Sequence, residues 1–103
     1  MSSLNALNVA IEAAERKRDA ARTAMQERQR AQQAAQAQMD QLQGYVQEMQ
    51  GRWGAQEGLA VQPEVMHHQY QFMERLQHAI GLQTRMVADQ DIRLETARQA
   101  LLE

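Results

Sequence analysis

One feature limits this chain more than any other: an apolar residue recurs at alternating steps of three and four, without a slip, for half its length. From Leu4 the positions are Leu7, Ile11, Ala14, Arg18, Ala21, Met25, Arg28, Gln32, Ala35, Met39, Leu42, Val46, Met49 and Trp53. Twelve of these fifteen are apolar, over seven heptads. This is the seam of a coiled coil, because a helix that steps in this way keeps one stripe facing one partner. Ala, Gln, Glu and Arg dominate the rest of the segment and favour helix. No proline interrupts it. The spacing predicts a helix over residues 3–55, roughly 80 Å long at 1.5 Å per residue, with Ser2 or Ser3 able to cap its start.

The pattern then breaks at "GRWGAQEGLAVQPEV", which holds Gly51, Gly54, Gly58 and the only proline, Pro63. Gly58 suits the left-handed residue that ends a helix, and Pro63 suits the first position of the next. Gly51 and Gly54 are expected to loosen the last turns of the first helix. The segment reads as a turn over residues 56–62, with a mobile hinge as the sharper alternative. A second seam follows: Met66, Gln69, Met73, Leu76, Ile80, Gln83, Val87, Gln90, Leu94, Ala97 and Leu101, eight of eleven apolar. It predicts a helix over residues 63–103.

Neither helix can bury its own stripe, and a short connection makes them antiparallel neighbours. The expected fold class is therefore all-α: an antiparallel two-helix coiled coil, a long α-hairpin forming a single domain over residues 1–103. With the turn centred near residue 59, residue i faces roughly residue 118 minus i. Glu103 then lies near Glu15, and Leu4, Leu7 and Ile11 are left without a partner seam. Burying each is worth about 1.5–3 kcal/mol, so their exposure calls for an explanation. Either the natural chain continues past Glu103, or this N-terminal overhang binds another chain, a homo-oligomer included. Arg18, Arg28, Gln32, Gln83 and Gln90 interrupt the two seams. Polar seam residues fix register elsewhere, which is the reading favoured here over a deliberately soft coil. The same rule puts Arg28 near Gln90, Asp89 and Asp91.

Composition closes off several functions. The net charge is -2, with no global pull toward nucleic acid or membrane. There is no cysteine, hence no disulfide framework and no thiolate metal site. No basic stretch precedes an apolar core at the N-terminus, and no apolar run approaches the ~20 residues of a membrane span. His67 and His68 are sequence neighbours and point about 100° apart on a helix, where a metal pair needs spacing of three or four. No glycine loop matches a nucleotide pattern, and a two-helix coil offers no pocket for catalysis. No enzyme, cofactor or metal is expected. The segment "ERKRDAARTAMQERQR" carries six basic residues against three acidic. It reads as a solvated face, helped by a Glu12–Arg16 pair. Nucleic-acid binding through Arg16, Lys17, Arg18 and Arg22 is the alternative, but no aromatic interleaves the patch to stack bases.

The aromatics are gathered instead around the break. The first 44 residues have none, and neither do the last 31. Tyr45 and Phe72 each precede a seam residue, and the pairing rule sets them side by side. Extended along the helices, Gln38, Leu42, Tyr45 and Met49 form one row and Phe72, Leu76, Ala79 and Gln83 the other. The two rows make one surface along an edge of the coil. It is either a widened core flank near the turn or a face that docks a partner, where aromatic anchors are typical.

These residues resemble a known family. "LQGYVQEMQGRW", a glycine before the turn, and "YQFMERLQHAIGLQ" are similar to the flagellar export protein FliJ family, and the likeness runs from "LNALNVAIEAAERKRDAAR" through essentially the whole chain. The family has a Leu with a Tyr three later near the end of its first helix. It has a Tyr-x-Phe-(Leu or Met)-x-x-Leu-x-x-Ala-Ile pattern early in its second. Its members usually run some 40 residues longer, in line with the unpaired N-terminal seam. The resemblance implies an antiparallel coiled coil like the central stalk of rotary ATPases, acting in the cytoplasm at the base of the flagellar type III secretion apparatus. One end would enter the hexameric export ATPase. The surface around the turn-proximal aromatics would contact the cytoplasmic part of the membrane export gate. Escort of substrate chaperones is a further role of some members. The gate-facing residues implied here are Gln38, Leu42, Tyr45, Phe72, Leu76 and Ala79, and the ATPase end would include Leu4, Leu7 and Ile11. Met49 stands where a second Tyr is common and Gln83 where a His is common, both departures on the gate-facing side. The competing readings are the equivalent stalk of a virulence secretion system and a generic structural or dimerising coiled coil.

Overall fold

The computed structural model describes residues 2–55 and 62–103. Two helices account for them: α1, Ser2–Ala55, and α2, Pro63–Leu102. They pack along each other in an extended rod of 90 × 18 × 15 Å. The cross-section is that of two helices side by side. The fold is the expected helical hairpin, and both helix boundaries fall within a residue or so of the expected ones. The expected turn and the Gly58 cap lie on residues 56–61, outside the described residues.

Local chemistry explains the ends. Pro63 opens α2, where its missing N–H costs nothing. The residue before it, Gln62, is extended at φ -64° and ψ 139°, as a residue preceding proline prefers. Its carbonyl accepts the first bond of α2 from Met66 N–H at 3.1 Å. At the other terminus α1 already includes Ser2 and Ser3, so both serines sit inside the helix rather than ahead of it. Gly51 and Gly54 leave α1 unbroken to Ala55, because the hydrogen-bonded ladder on either side outweighs a cost of about 1 kcal/mol per glycine.

Burial follows the seam. In α1 the partly or fully buried positions from Ala21 to Trp53 include every seam residue, and in α2 the same is true from Gln69 to Leu101. Among the described residues the buried side chains are Ala35, Met39 and Leu76, so the tightest packing lies mid-rod. The register matches the pairing rule. Gln83 donates its side-chain amide to the Ala35 carbonyl at 2.8 Å, the two residues that the rule sets opposite. Gln32, which the rule sets opposite residue 86, instead reaches more than a turn further along α2 and donates to Asp91 at 3.0 Å. Asp89 is held by Arg93 on its own helix at 2.9 Å. Both carboxylates expected near Arg28 thus have other partners, and the Gln90 side-chain oxygen is buried without one.

Beyond the end of α2 the seam of α1 is bare. Leu4, Leu7 and Ile11 are exposed there, and Ala14 and Arg18, beside the last residues of α2, are exposed too. Among the described residues the ion pairs are Glu48–Arg52, Asp89–Arg93 and Glu95–Arg98, all within a helix, and the expected Glu12–Arg16 pair is not one of them.

Candidate partner-docking faces

A coil of this kind has two edges, and here they differ in chemistry. Along α1, steps of seven give Gln29, Gln36, Gln43 and Gln50 on one edge and Ala24, Ala31, Gln38 and Tyr45 on the other. Along α2 the matching rows are Tyr70, Gln77, Thr84 and Asp91, against Val65, Phe72, Ala79 and Met86. The first edge is amide-rich and wet. The second is largely apolar, and it carries the expected docking row.

The six residues of that row are not equivalent. Tyr45 is 44% exposed and Phe72 48%, so each ring lies half on the coil and half in solvent. Gln38 is exposed, Leu42 and Ala79 are half-buried, and Leu76 is buried at 7%. Leu76 occupies the centre of the seam and belongs to the core, beneath the rings. The two rows do meet: Gln83 also donates to the Gln38 side-chain oxygen at 3.3 Å across the coil. The close ring pair among the described residues is His67 with His68, centroids 6.3 Å apart. Tyr45 and Phe72 flank the seam without forming such a pair. The Tyr45 hydroxyl instead accepts from Gln41 at 3.1 Å, and the exposed Arg52–Glu48 pair lies one turn further along.

The pairing rule did not single out Leu82 and Met86. Both are about half exposed. Met86 lies one heptad beyond Ala79 and two beyond Phe72, so the seven-residue step that links those two would have found it. Leu82 sits four residues before Met86 and adjoins it on the helix surface.

The second candidate face is the overhang, where Leu4, Leu7 and Ile11 line one stripe, each about half exposed. Among the described residues no cluster of three His, Cys, Asp or Glu could hold a metal ion, and no helix is long and apolar enough to cross a membrane. The hollows are shallow surface dips, such as that lined by Gln71, Glu74, Arg75 and His78.

A two-helix rod with half-exposed rings on one edge and exposed seam residues at one end defines the class as an antiparallel coiled coil with apolar surface left over. A model of the flagellar FliJ protein family matches residues 3–103, and the chain belongs to that family. Membership makes it a coiled-coil component of the flagellar export apparatus, in a family of structural proteins rather than enzymes. No curated relative and no solved structure matched the chain.

Proposed function

We propose that this chain is the stalk that links the hexameric export ATPase to the membrane export gate, in the cytoplasm and peripheral to the inner membrane. The exposed edge around Gln38, Tyr45 and Phe72 grips the cytoplasmic part of the gate, flanked by Leu42 and Ala79, with Leu76 supporting the rings from below. The overhang stripe of Leu4, Leu7 and Ile11 is the ATPase end. Escort of substrate chaperones is a further role for the same apolar edge. The rod transmits nucleotide-driven changes in a ring to a gate and performs no chemistry of its own.

The observation that carries this reading is the half-exposure of the two rings in a family member. A coil needing them for its own stability would cover them, and half-exposed aromatics beside a rigid core are the usual anchors of a protein interface. The test is binding of the purified chain to the purified ATPase and, separately, to the purified gate domain. The reading expects the Leu4, Leu7 and Ile11 substitutions to affect only the first and the Tyr45 and Phe72 substitutions only the second. One group of substitutions abolishing both, or neither group affecting either, overturns it.

A further inference from the structure

We propose that the apolar edge is a slot for a third helix, and that its occupant is an amphipathic helix of a partner protein with carboxylates along one flank. A strict two-position seam suffices for a two-helix coil, whereas a helix with a wider apolar stripe packs against more than one neighbour. Both helices widen here on the same edge. Ala31, Ala34, Gln38, Gln41 and Tyr45 step by three and four beside the seam of α1; Phe72, Arg75, Ala79, Leu82 and Met86 do so beside the seam of α2. In the register marked by Gln83 and Ala35, Tyr45 comes level with Phe72, Gln41 and Gln38 with Arg75 and Ala79, and Ala34 and Ala31 with Leu82 and Met86. Small residues of α1 therefore lie beside Leu82 and Met86, each about half exposed. The strip runs about 23 Å along the rod, four turns of a docked helix. The opposite edge has no counterpart, holding Gln29, Gln36 and Gln43 on α1 and Gln77, Thr84 and Asp91 on α2.

Charge selects the occupant. Arg75 sits within the strip, between Phe72 and Ala79, and makes no ion pair among the described residues. The positions three and four away on α2 are Gln71, Phe72, His78 and Ala79, so its own helix supplies no carboxylate there. Glu74 lines the same surface dip without pairing with it. Across the coil, Gln41 stands near that level and donates to Tyr45, while Asp40 accepts from Gln36. Arg85, further out on the same flank, is likewise without an ion pair, and Asp89, four residues on, is held by Arg93. Two unpaired guanidiniums beside an apolar strip match a helix whose apolar stripe is bordered by carboxylates on the side of α2. The area sets the strength. The ten residues of the strip and the helix laid on them hide roughly 1,000 Å² counting both partners, the low end for a specific pair, so the contact is a transient one. That the docked helix belongs to the export gate rests on the proposed function; the slot itself does not.

The test uses two synthetic peptides of about 21 residues, three heptads each, with one leucine stripe in common and either glutamate or lysine along its flanks. Each is titrated by fluorescence anisotropy into the unaltered chain, into a Leu82→Asp, Met86→Asp variant and into an Arg75→Glu, Arg85→Glu variant. Circular dichroism of each mixture reports the helix gained on binding. The glutamate peptide should bind the unaltered chain at least tenfold more tightly than the lysine peptide, and should gain helix as it does. The net charge of -2 would by itself favour lysine, so the opposite preference reports the local site. The two Asp substitutions should weaken binding at least tenfold, and the two Glu substitutions should reverse the preference. Equal affinity for both peptides, no binding of the glutamate peptide at about 1 mM, binding without a gain of helix, or a preference that charge reversal leaves in place overturns the proposal. So does a dimer of the unaltered chain in sedimentation that Leu82→Asp dissolves, because the occupant would then be a second copy. The same variants are titrated separately with the purified gate domain. Gate binding that survives Leu82→Asp, Met86→Asp yet is lost on substitution of Tyr45 and Phe72 would leave the proposed function standing and overturn the slot as the place where the gate docks.

Discussion

Gln83 donates its side-chain amide to the Ala35 carbonyl at 2.8 Å across the coil, and the same nitrogen reaches the Gln38 side chain at 3.3 Å. A polar residue at a seam position thus finds partners in one alignment of the two helices and loses them if either slides by a turn. An apolar residue there would pack comparably in several alignments. Gln83→Leu is expected to leave stability unchanged or raise it by up to about 1 kcal/mol, while broadening the register. Spin labels at Gln47 and Gln71, both exposed and roughly opposite, report this as a wider distance distribution. A distribution as narrow as that of the unaltered chain would show that Gln83 does not hold the register.

Gly44 and Gly81 lie inside α1 and α2, and a Cβ added at either meets nothing within 4 Å. Each spends backbone entropy in a helix interior without a packing reason. Gly44→Ala and Gly81→Ala should each stabilise the rod by about 0.5–1 kcal/mol in urea unfolding, and the two effects should add.

Leu76 and Phe72 stand one helical turn apart and do different work. Leu76 is buried in the seam, so Leu76→Ala should cost about 2–4 kcal/mol of folding stability. Phe72 is half exposed, so Phe72→Ala should cost less than about 1 kcal/mol. Urea unfolding of the two variants separates them; equal losses would mean that the ring is part of the core after all.

The overhang makes a complementary prediction. Leu4→Ala, Leu7→Ala and Ile11→Ala remove exposed side chains and put the best helix former in their place. The triple variant should unfold within about 0.5 kcal/mol of the unaltered chain at low micromolar concentration, yet lose affinity for the export ATPase. A large loss of stability would show that the stripe is already packed against something within the monomer.

The parts of this structure that periodicity controls were legible from residue order. An unbroken step of three and four gave two helices, and the break at Gly51 to Pro63 gave the reversal. Centring the reversal gave a register that puts Ala35 opposite Gln83 and strands Leu4, Leu7 and Ile11. What depends on the reach of a side chain was not legible. Gln32, rather than Arg28, takes Asp91, because a choice between two long side chains on neighbouring turns is made by rotamer and not by spacing. Leu76 and Phe72 shared one expected face, yet the coil buries the first and leaves the second half in solvent, a division set by how deeply each position sits between two helices. Met86 was within reach of the seven-residue step from Phe72 and Ala79, and Leu82 came into view only with the exposed surface around it.

The central claim is that the rings at the bend-side edge are held out for a partner. The measurement that tests it most directly is a calorimetric titration of the purified export-gate cytoplasmic domain with the unaltered chain and with a Tyr45→Ala, Phe72→Ala variant, with urea unfolding of both chains alongside. The account predicts gate binding weakened by about 30-fold or more, while folding stability falls by no more than about 1–2 kcal/mol. Unchanged gate affinity, or a stability loss large enough to unfold the rod, would contradict it.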